Sequence, residues 1–283
     1  MIKQLAASYP VRRLCAVLGI ARSTVYYQPK IKAEDAQALA AMEAVLLRWP
    51  FYGYRRLSAQ LKRQGWQIGE RRVRGLLKQL DYSRNVGRVA LKTTDSNHNH
   101  PRFPNLIKQL LISAPNQVWV ADITYIRLGR RFIYLAIILD AFTRALRGWH
   151  LDHSLQARQL TIKALQMALD RHPAPAIHHS DQGIQYAIAT YRKLLPETAQ
   201  ISMSATGQPT ENGIVERFIR TLKEEHIDYS DYRDFSDAFE QLAYWLEVEY
   251  MTERIHSALG YLTPAEFEAA FTVIQSDSPL AVA

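Results

Sequence analysis

Cysteine is almost absent: Cys15 is the only one in 283 residues. That excludes a disulfide framework and a four-cysteine zinc site, and it fits a reducing compartment. No apolar run reaches the roughly 18 residues a membrane-crossing helix needs. The opening MIKQLAASYPVRRLC lacks the apolar core of a signal peptide. No heptad segment is long enough for a coiled coil. A cytoplasmic chain of ordinary globular composition, large enough for one big domain or two smaller ones, is expected.

The charge is +8, unevenly spread. Residues 1–113 carry 20 Lys and Arg against 6 Asp and Glu, whereas residues 114–283 carry 15 against 21. A basic front half joined to an acidic back half suggests nucleic-acid contact at the front. An acidic half can still meet nucleic acid if its carboxylates hold metal ions. A basic surface kept for solubility is the alternative.

Residues 8–28 read SYPVRRLCAVLGIARSTVYYQ. Val11, Leu14, Cys15 and Leu18 have helical spacing, Gly19 stops the helix, and Ser23 can cap a short second one. Two short helices about a glycine turn suggest a helix-turn-helix, with a plain helical hairpin as the other reading. Three more helices follow. One carries Leu39, Met42, Leu46 and Leu47. The next carries Leu57 and Leu61, after the turn from Trp49 to Tyr54. A third begins after Gly69 with Val73, Leu76 and Leu77. Arg71, Arg72, Arg74 and Lys78 line the polar side of the last, and Arg55, Arg56, Lys62 and Arg63 precede them. With so little acidic offset, and with Arg22 in the first region, phosphate contact is the better reading than a solvated face. The polar stretch 84–116, with TTDSNHNHPRFPN, reads as a linker. Its His98 and His100 fit a loop better than a metal site. The expected organisation is a helical DNA-binding region over 1–83, a linker over 84–116, a second domain over 117–270 and a tail over 271–283.

From 117 the periodicity changes. VWVADITYI at 118–126, FIYLAIILD at 132–140 and a segment from Arg144 to Leu151 read as three adjacent strands with tight turns. FIYLAIIL is apolar on both faces, as a central strand should be. A helix over 155–171, a strand at 176–179, a helix near 185–195, a short strand near 200–203 and helices near 210–228 and 235–250 follow. This is the element order of the ribonuclease-H-like fold, a mixed α/β sheet.

Three acids stand out on that order. Asp122 lies in the middle of an otherwise apolar strand, where an unpaired carboxylate is costly. Asp181 follows the strand ending His178-His179-Ser180. Glu216 lies in the long helix. Hard oxygen ligands from three elements suit Mg2+ or Mn2+. Taken singly, Asp122 could bond a neighbouring backbone group, Asp181 could be a turn residue and Glu216 a surface acid; the reading rests on the three together. Asn212, Glu216, Arg220 and Lys223 share one helix face, so Arg220 and Lys223 could reach a DNA backbone beside Glu216. His179 could orient Asp181 or simply end a strand. Asp140, with Phe142 and Arg144, reads as a hairpin corner.

VWVADITYI, IHHSDQGIQY, ENGIVERFIRTLKEE and YMTERIHSALGYLTPAEF resemble the integrase-core transposases of the IS3 family of insertion sequences, specifically the product of its downstream reading frame. RRLCAVLGIARSTVYYQ and FYGYRRLSAQLKRQGWQIGERRVRGLLKQ resemble that product's N-terminal helix-turn-helix and the helices after it. The resemblance spans roughly residues 8–270. By it, Asp122, Asp181 and Glu216 fall on the DDE triad of a DNA strand transferase. Two departures exist: 34 residues separate Asp181 from Glu216, one fewer than the family pattern, and Glu211-Asn212 stands where Asp-Asn is usual.

The resemblance implies metal-dependent DNA cleavage and strand transfer at element ends. Two metal ions would clamp the scissile phosphate, without the covalent protein–DNA link that a tyrosine or serine recombinase forms. Double-stranded DNA, at element ends and at the target, is the expected partner. A homo-oligomer on DNA and a nucleoid-associated location are expected too. In the resembled family an upstream reading frame supplies a further DNA-binding helix set and a zipper; with the helix-turn-helix here beginning within the first dozen residues, the resemblance implies that an upstream-frame product, or a fusion to it, completes the enzyme. The rival readings are a catalytically weak DNA-binding regulator of transposition and a generic metal-dependent nuclease. The Arg254, His256 and Pro264 block weighs against the nuclease.

Overall fold

Alternation along the strands decides the architecture. On Val118–Leu128 (β1), Val118 and Val120 enter one apolar cluster, while Trp119 and Ala121 enter another. On Arg131–Asp140 (β2), Ile133, Leu135, Ile137 and Leu139 join the first cluster, and Ala136 and Ile138 the second. Successive side chains point to opposite faces, so a strand buried on both faces must lie inside a sheet covered on both sides. The structure, a computed structural model, describes residues 9–26, 33–80, 82, 103–156, 159–204 and 212–276. His98, His100, Glu211 and residues 277–283 of the expected tail lie outside them.

Leu146–Asp152 (β3), Ile177–Ser180 (β4) and Gln200–Met203 (β5) complete a five-stranded sheet in the order β3-β2-β1-β4-β5. β1 pairs antiparallel with β2 and parallel with β4. This is the ribonuclease-H-like arrangement. Thr161–Arg171 (α6) crosses between β3 and β4 and covers the second face. The approach requires glycine: a Cβ on Gly148 of β3 would lie 2.9 Å from Ala168 of α6. Gly213–Glu225 (α9) and Phe235–Tyr244 (α10) cover the first face through Val215, Phe218, Leu222, Ala238 and Leu242.

Several boundaries differ from expectation for local reasons. The strand expected from Arg144 begins at Leu146 because the Asp140 carboxylate accepts from the Phe142 and Thr143 amides at 2.9 Å and holds the corner. The helix expected near 185–195 is two short pieces, Ile184–Ala187 (α7) and Ala189–Arg192 (α8), broken at the extended Ile188. The helix expected over 155–171 starts only at Thr161. α10 runs on into a π-helical stretch, Trp245–Glu253. Pro264–Ser276 (α11), not foreseen as a helix, follows.

The front of the chain is helical. Val11–Leu18 (α1) ends at Gly19, whose φ of 62° is left-handed, and Arg22–Tyr26 (α2) follows. Ala33–Arg48 (α3), Tyr54–Arg63 (α4) and Glu70–Leu77 (α5) enclose Met42, Tyr52, Leu57, Leu61 and Val73. Leu47, apolar and at helical spacing, is 86% exposed. Ile255, from far along the chain, is fully buried within this helical cluster, and its amide donates to Tyr52 Oη at 3.2 Å. Arg48 pairs with Glu249 and Glu253, and Arg63 pairs with Glu266. The helical module is thus fastened to the C-terminal part of the sheet domain. Residues 103–117 carry no regular element, yet Ile107, Leu110 and Ile112 pack on the first apolar cluster. Among the described residues no helix is long and apolar enough to cross a membrane.

Candidate active site

Register brings two aspartates together. Ala121 of β1 is opposite Ser180 of β4, so Asp122 and Asp181, each one step further, are neighbours at the end of the pairing. The Asp122 side chain has the parity of Val118 and Val120 and therefore faces α9, which carries Glu216. Asp122 lies at a cleft with Tyr125, Tyr134, Leu155, Asp181, Gly183 and Tyr186 in its walls. Asp122 is half-buried as a residue, and protein atoms surround its carboxyl group. Burial, and then the negative charge of Asp181, push its pKa up to about 8. Glu216 pushes the same way, while the Ile123 amide, donating at 2.8 Å, and Lys223 pull it back. Glu216 is also raised, by burial and by Asp181 against the pull of Arg220. The three carboxylates therefore act on one another through space.

The surrounding backbone is built to hold them. The Gly183 amide donates to Asp181 Oδ1 at 2.9 Å, and a Cβ on Gly183 would stand 2.9 Å from that same oxygen. Asn212, buried at the start of α9, donates through Nδ2 to the Ala121 carbonyl at 3.2 Å and so ties α9 to β1 one residue before Asp122. Lys223 Nζ lies 4.5 Å from the centre of the Tyr125 ring. His179 Nδ1 bonds Ser202 Oγ at 2.8 Å, joining β4 to β5. The Ser180 hydroxyl donates to the Asp181 carbonyl. Tyr186 was not singled out from the sequence, although it closes the IHHSDQGIQY segment. Among the described residues its buried hydroxyl has no hydrogen-bond partner, and it feels the charges of Asp122 and Asp181.

The cations expected to meet DNA divide into two groups. Arg22, Arg55, Arg71, Arg74 and Arg220 are exposed, and Arg55 and Arg74 lie over the Tyr54 ring. Arg56 turns inward instead and pairs with Glu225 at 3.1 Å, and Arg72 pairs with Asp35 at 2.6 Å. Each therefore has an acidic partner within the fold, shared with Arg254 in the case of Arg56, that the sequence reading did not foresee.

The family described as "Integrase core domain" matches residues 112–209, and a second family of that description matches residues 197–264. The "HTH-like domain" matches residues 32–88, so it falls on α3 to α5 rather than on the α1–Gly19–α2 turn. The "Insertion element IS600 uncharacterized 31 kDa protein" of Shigella sonnei is 35% identical over 268 residues, covering 91% of this chain and 98% of that one. The "Transposase InsF for insertion sequence IS3A" of Escherichia coli K12 is 32% identical over 282 residues, covering 94% and 96%. The chain belongs to the IS3 family of insertion-sequence transposases. As an IS3-family transposase it is an enzyme of the DDE type, with a helical HTH-like region ahead of an integrase core. The crystal structure of the BIV integrase catalytic core domain is similar at 20% identity and a TM-score of 0.43, over 57% of this transposase and 99% of that chain.

Proposed function

We propose that this transposase cuts and joins DNA at the ends of its element with Asp122, Asp181 and Glu216 as the groups that hold divalent metal at the scissile phosphate. The observation that carries the reading is Asp122 on an otherwise apolar strand, one register step past the β1–β4 pairing and beside Asp181, whose charge raises the proton affinity of Asp122. Mutual repulsion of this kind is relieved by a bound cation, and an all-oxygen donor set suits Mg2+ or Mn2+. Among the described residues no three His, Cys, Asp or Glu side chains are already gathered to hold a metal ion. Glu216, on a separate helix, is the ligand that completes the set on binding. Two ions per site would stabilise charge on the phosphate and activate a water or a DNA 3′-hydroxyl.

The chain's own residues do the rest. Asp122 would hold the metal as its ionised carboxylate. The Gly183 amide aims Asp181, and Asn212 fixes α9 against β1. Arg220 and Lys223, on the Glu216 face of α9, grip the DNA backbone beside the cut. Arg22, Arg55, Arg71 and Arg74 neutralise phosphates on the helical module, so binding weakens as salt rises. His179 supports the β4 end through Ser202.

Joining two ends requires at least two protomers on two duplexes. We infer a homo-oligomer on DNA whose assembly is aided by an upstream-frame product or a fusion to it. A strand-transfer assay with labelled element ends, with and without Mg2+, tests the reading. Metal-dependent nicking and joining by the wild type, lost in Asp122→Asn, supports it. Joining that persists in EDTA overturns it. Running the same ends with the fused protein tests the assembly, and equal paired-end joining by this chain alone would remove the need for a partner frame.

A further inference from the structure

A cavity of about 300 Å3 opens where the helical module meets the core, with Arg56, Arg144, Arg217 and Arg254 in its walls. It lies on the other flank of α9 from the acids. At about 100° per residue, Gly213, Arg217 and Thr221 form one stripe of the helix, and Glu216, Arg220 and Lys223 another about a quarter-turn away.

The charge here is not balanced. Glu225 receives Arg254 through two hydrogen bonds of 2.6 and 2.7 Å and Arg56 through one of 3.1 Å. One carboxylate thus serves two guanidiniums. Arg144 and Arg217 have no ion-pair partner among the described residues. His256 stays neutral and does not add to this excess, because burial and then Arg254, Arg56 and Arg144 push its pKa down to about 2. Arg144 also holds an unusual backbone conformation, with φ at 62°, costly for a residue with a Cβ. The Tyr250 hydroxyl, donating to the Arg144 carbonyl at 2.8 Å, keeps it there. A structure that maintains a disfavoured backbone to present an unpaired guanidinium at a cavity is arranged for an anion. The mouth is open, with Arg217, Ser257 and Ala258 exposed at the rim.

We propose that this cavity is a second phosphate site, which takes one backbone phosphate of duplex DNA with Arg144 and Arg217 as its ligands. Guanidinium forks match phosphate oxygens, and the backbone at Gly213 and Ile214 brings the positive end of α9 to the same place. The site gives a role to the Arg254-Ile255-His256 block. Ile255 anchors the helical module, while Arg254 and His256 wall a phosphate grip at the junction. A duplex held there is fixed relative to both the helical module and the acids, which sets the distance from recognition to cut. The inference rests on the reading of the chain as an enzyme acting on DNA, but the grip needs no metal.

The test uses the full chain and a duplex carrying the element end, in EDTA, with binding followed by fluorescence anisotropy across a salt series. Arg217→Gln changes an exposed residue, and an unchanged thermal midpoint verifies its fold. Its log K against log salt slope should fall by about one relative to wild type. Arg144→Lys, which keeps the charge and loses the fork, should weaken binding with little change in slope. Scanning neutral methylphosphonates along the duplex should find a position that weakens wild-type binding and has no effect on Arg217→Gln. Wild-type slope and an unchanged scan in Arg217→Gln overturn the site. Pyrophosphate that binds the cavity but is not displaced by DNA overturns the assignment to a DNA phosphate. Failure of the proposed chemistry would show instead as absent metal-dependent joining by wild type, with these binding results unaffected.

Discussion

Asp140 and Asp122 lie on neighbouring strands and meet opposite fates. Asp140 is fully buried, and both its oxygens are engaged: Oδ1 accepts from the Phe142 and Thr143 amides, and Oδ2 from the Asn116 amide and from Arg147. Arg147 is shared with Glu268 of α11, so the corner also secures that helix. Asp122 receives one amide, from the next residue, and faces two other acids. The first carboxylate is neutralised by the fold. The second is left for something outside the fold to neutralise. A buried carboxylate left with one amide donor among other acids marks a place where chemistry is expected.

The sharpest way to break this comparison is to neutralise each acid in turn. Asp122→Asn, Asp181→Asn and Glu216→Gln should each lower strand transfer by about a thousandfold or more, the scale of several kcal/mol of lost charge stabilisation. Their circular dichroism and unfolding midpoints should stay near or above wild type. Full activity in any one of them would remove that residue from the set. Asp140→Ala should do the reverse. Three amides and a buried guanidinium lose their acceptor, at a cost of about 3–5 kcal/mol. Urea unfolding would register this, and joining per folded molecule should persist at low temperature. A stable Asp140→Ala chain would mean that Glu268 alone can balance Arg147.

A pH series sharpens the contrast further. Asp122 has its pKa raised from 3.8 to about 8. Below about pH 4 it is protonated in both folded and unfolded chains and costs nothing. As pH rises toward 8 the unfolded chain ionises freely while the folded one resists, so stability is lost across that window. The full shift corresponds to about 6 kcal/mol, but the cleft admits water, so about 2 kcal/mol is expected. In EDTA, Asp122→Asn should therefore gain on wild type between pH 4 and 8, and the two should converge in acid. Parallel stability curves would show that Asp122 is not repelled. At pH 7, Mg2+ binding should release close to one proton, read by calorimetry in buffers of different ionisation enthalpy.

Much of this architecture was legible in the sequence because the signals are local. Alternation in VWVADITYI and the doubly apolar FIYLAIIL lead directly to two inner strands, and the order of elements leads to the sheet. What stayed hidden depends on distant partners. Arg56 reads as a DNA-facing cation beside Arg55 until Glu225 is seen 169 residues away holding it. Arg72 is likewise claimed by Asp35. Leu47 has core spacing but meets no second layer and stays exposed. The cationic cavity could not be read at all, because its walls come from α4, the β2–β3 corner, α9 and the segment around His256.

The smallest expected change in stability is the most discriminating for the site. Tyr186 is buried beside Asp122 and Asp181, with a hydroxyl that has no partner among the described residues. If the residue only fills space on α7, Tyr186→Phe removes an unsatisfied polar group from the interior. The chain should then become neutral to slightly more stable, by up to about 1–2 kcal/mol, with activity unchanged. If the hydroxyl is kept to bond an Asp122 carboxylate or a substrate oxygen once the site is charged, the same variant gains that stability and loses about 10- to 100-fold in joining, the usual scale for a group that orients metal ligands. The second outcome is expected, because the Tyr186 hydroxyl, without a partner among the described residues, feels the charge of Asp122, which receives a single amide and faces other acids. Measuring unfolding and strand transfer on one preparation separates the two. A Tyr186→Phe chain that is more stable and fully active would assign the hydroxyl to packing alone and confine the under-satisfied region to the carboxylates.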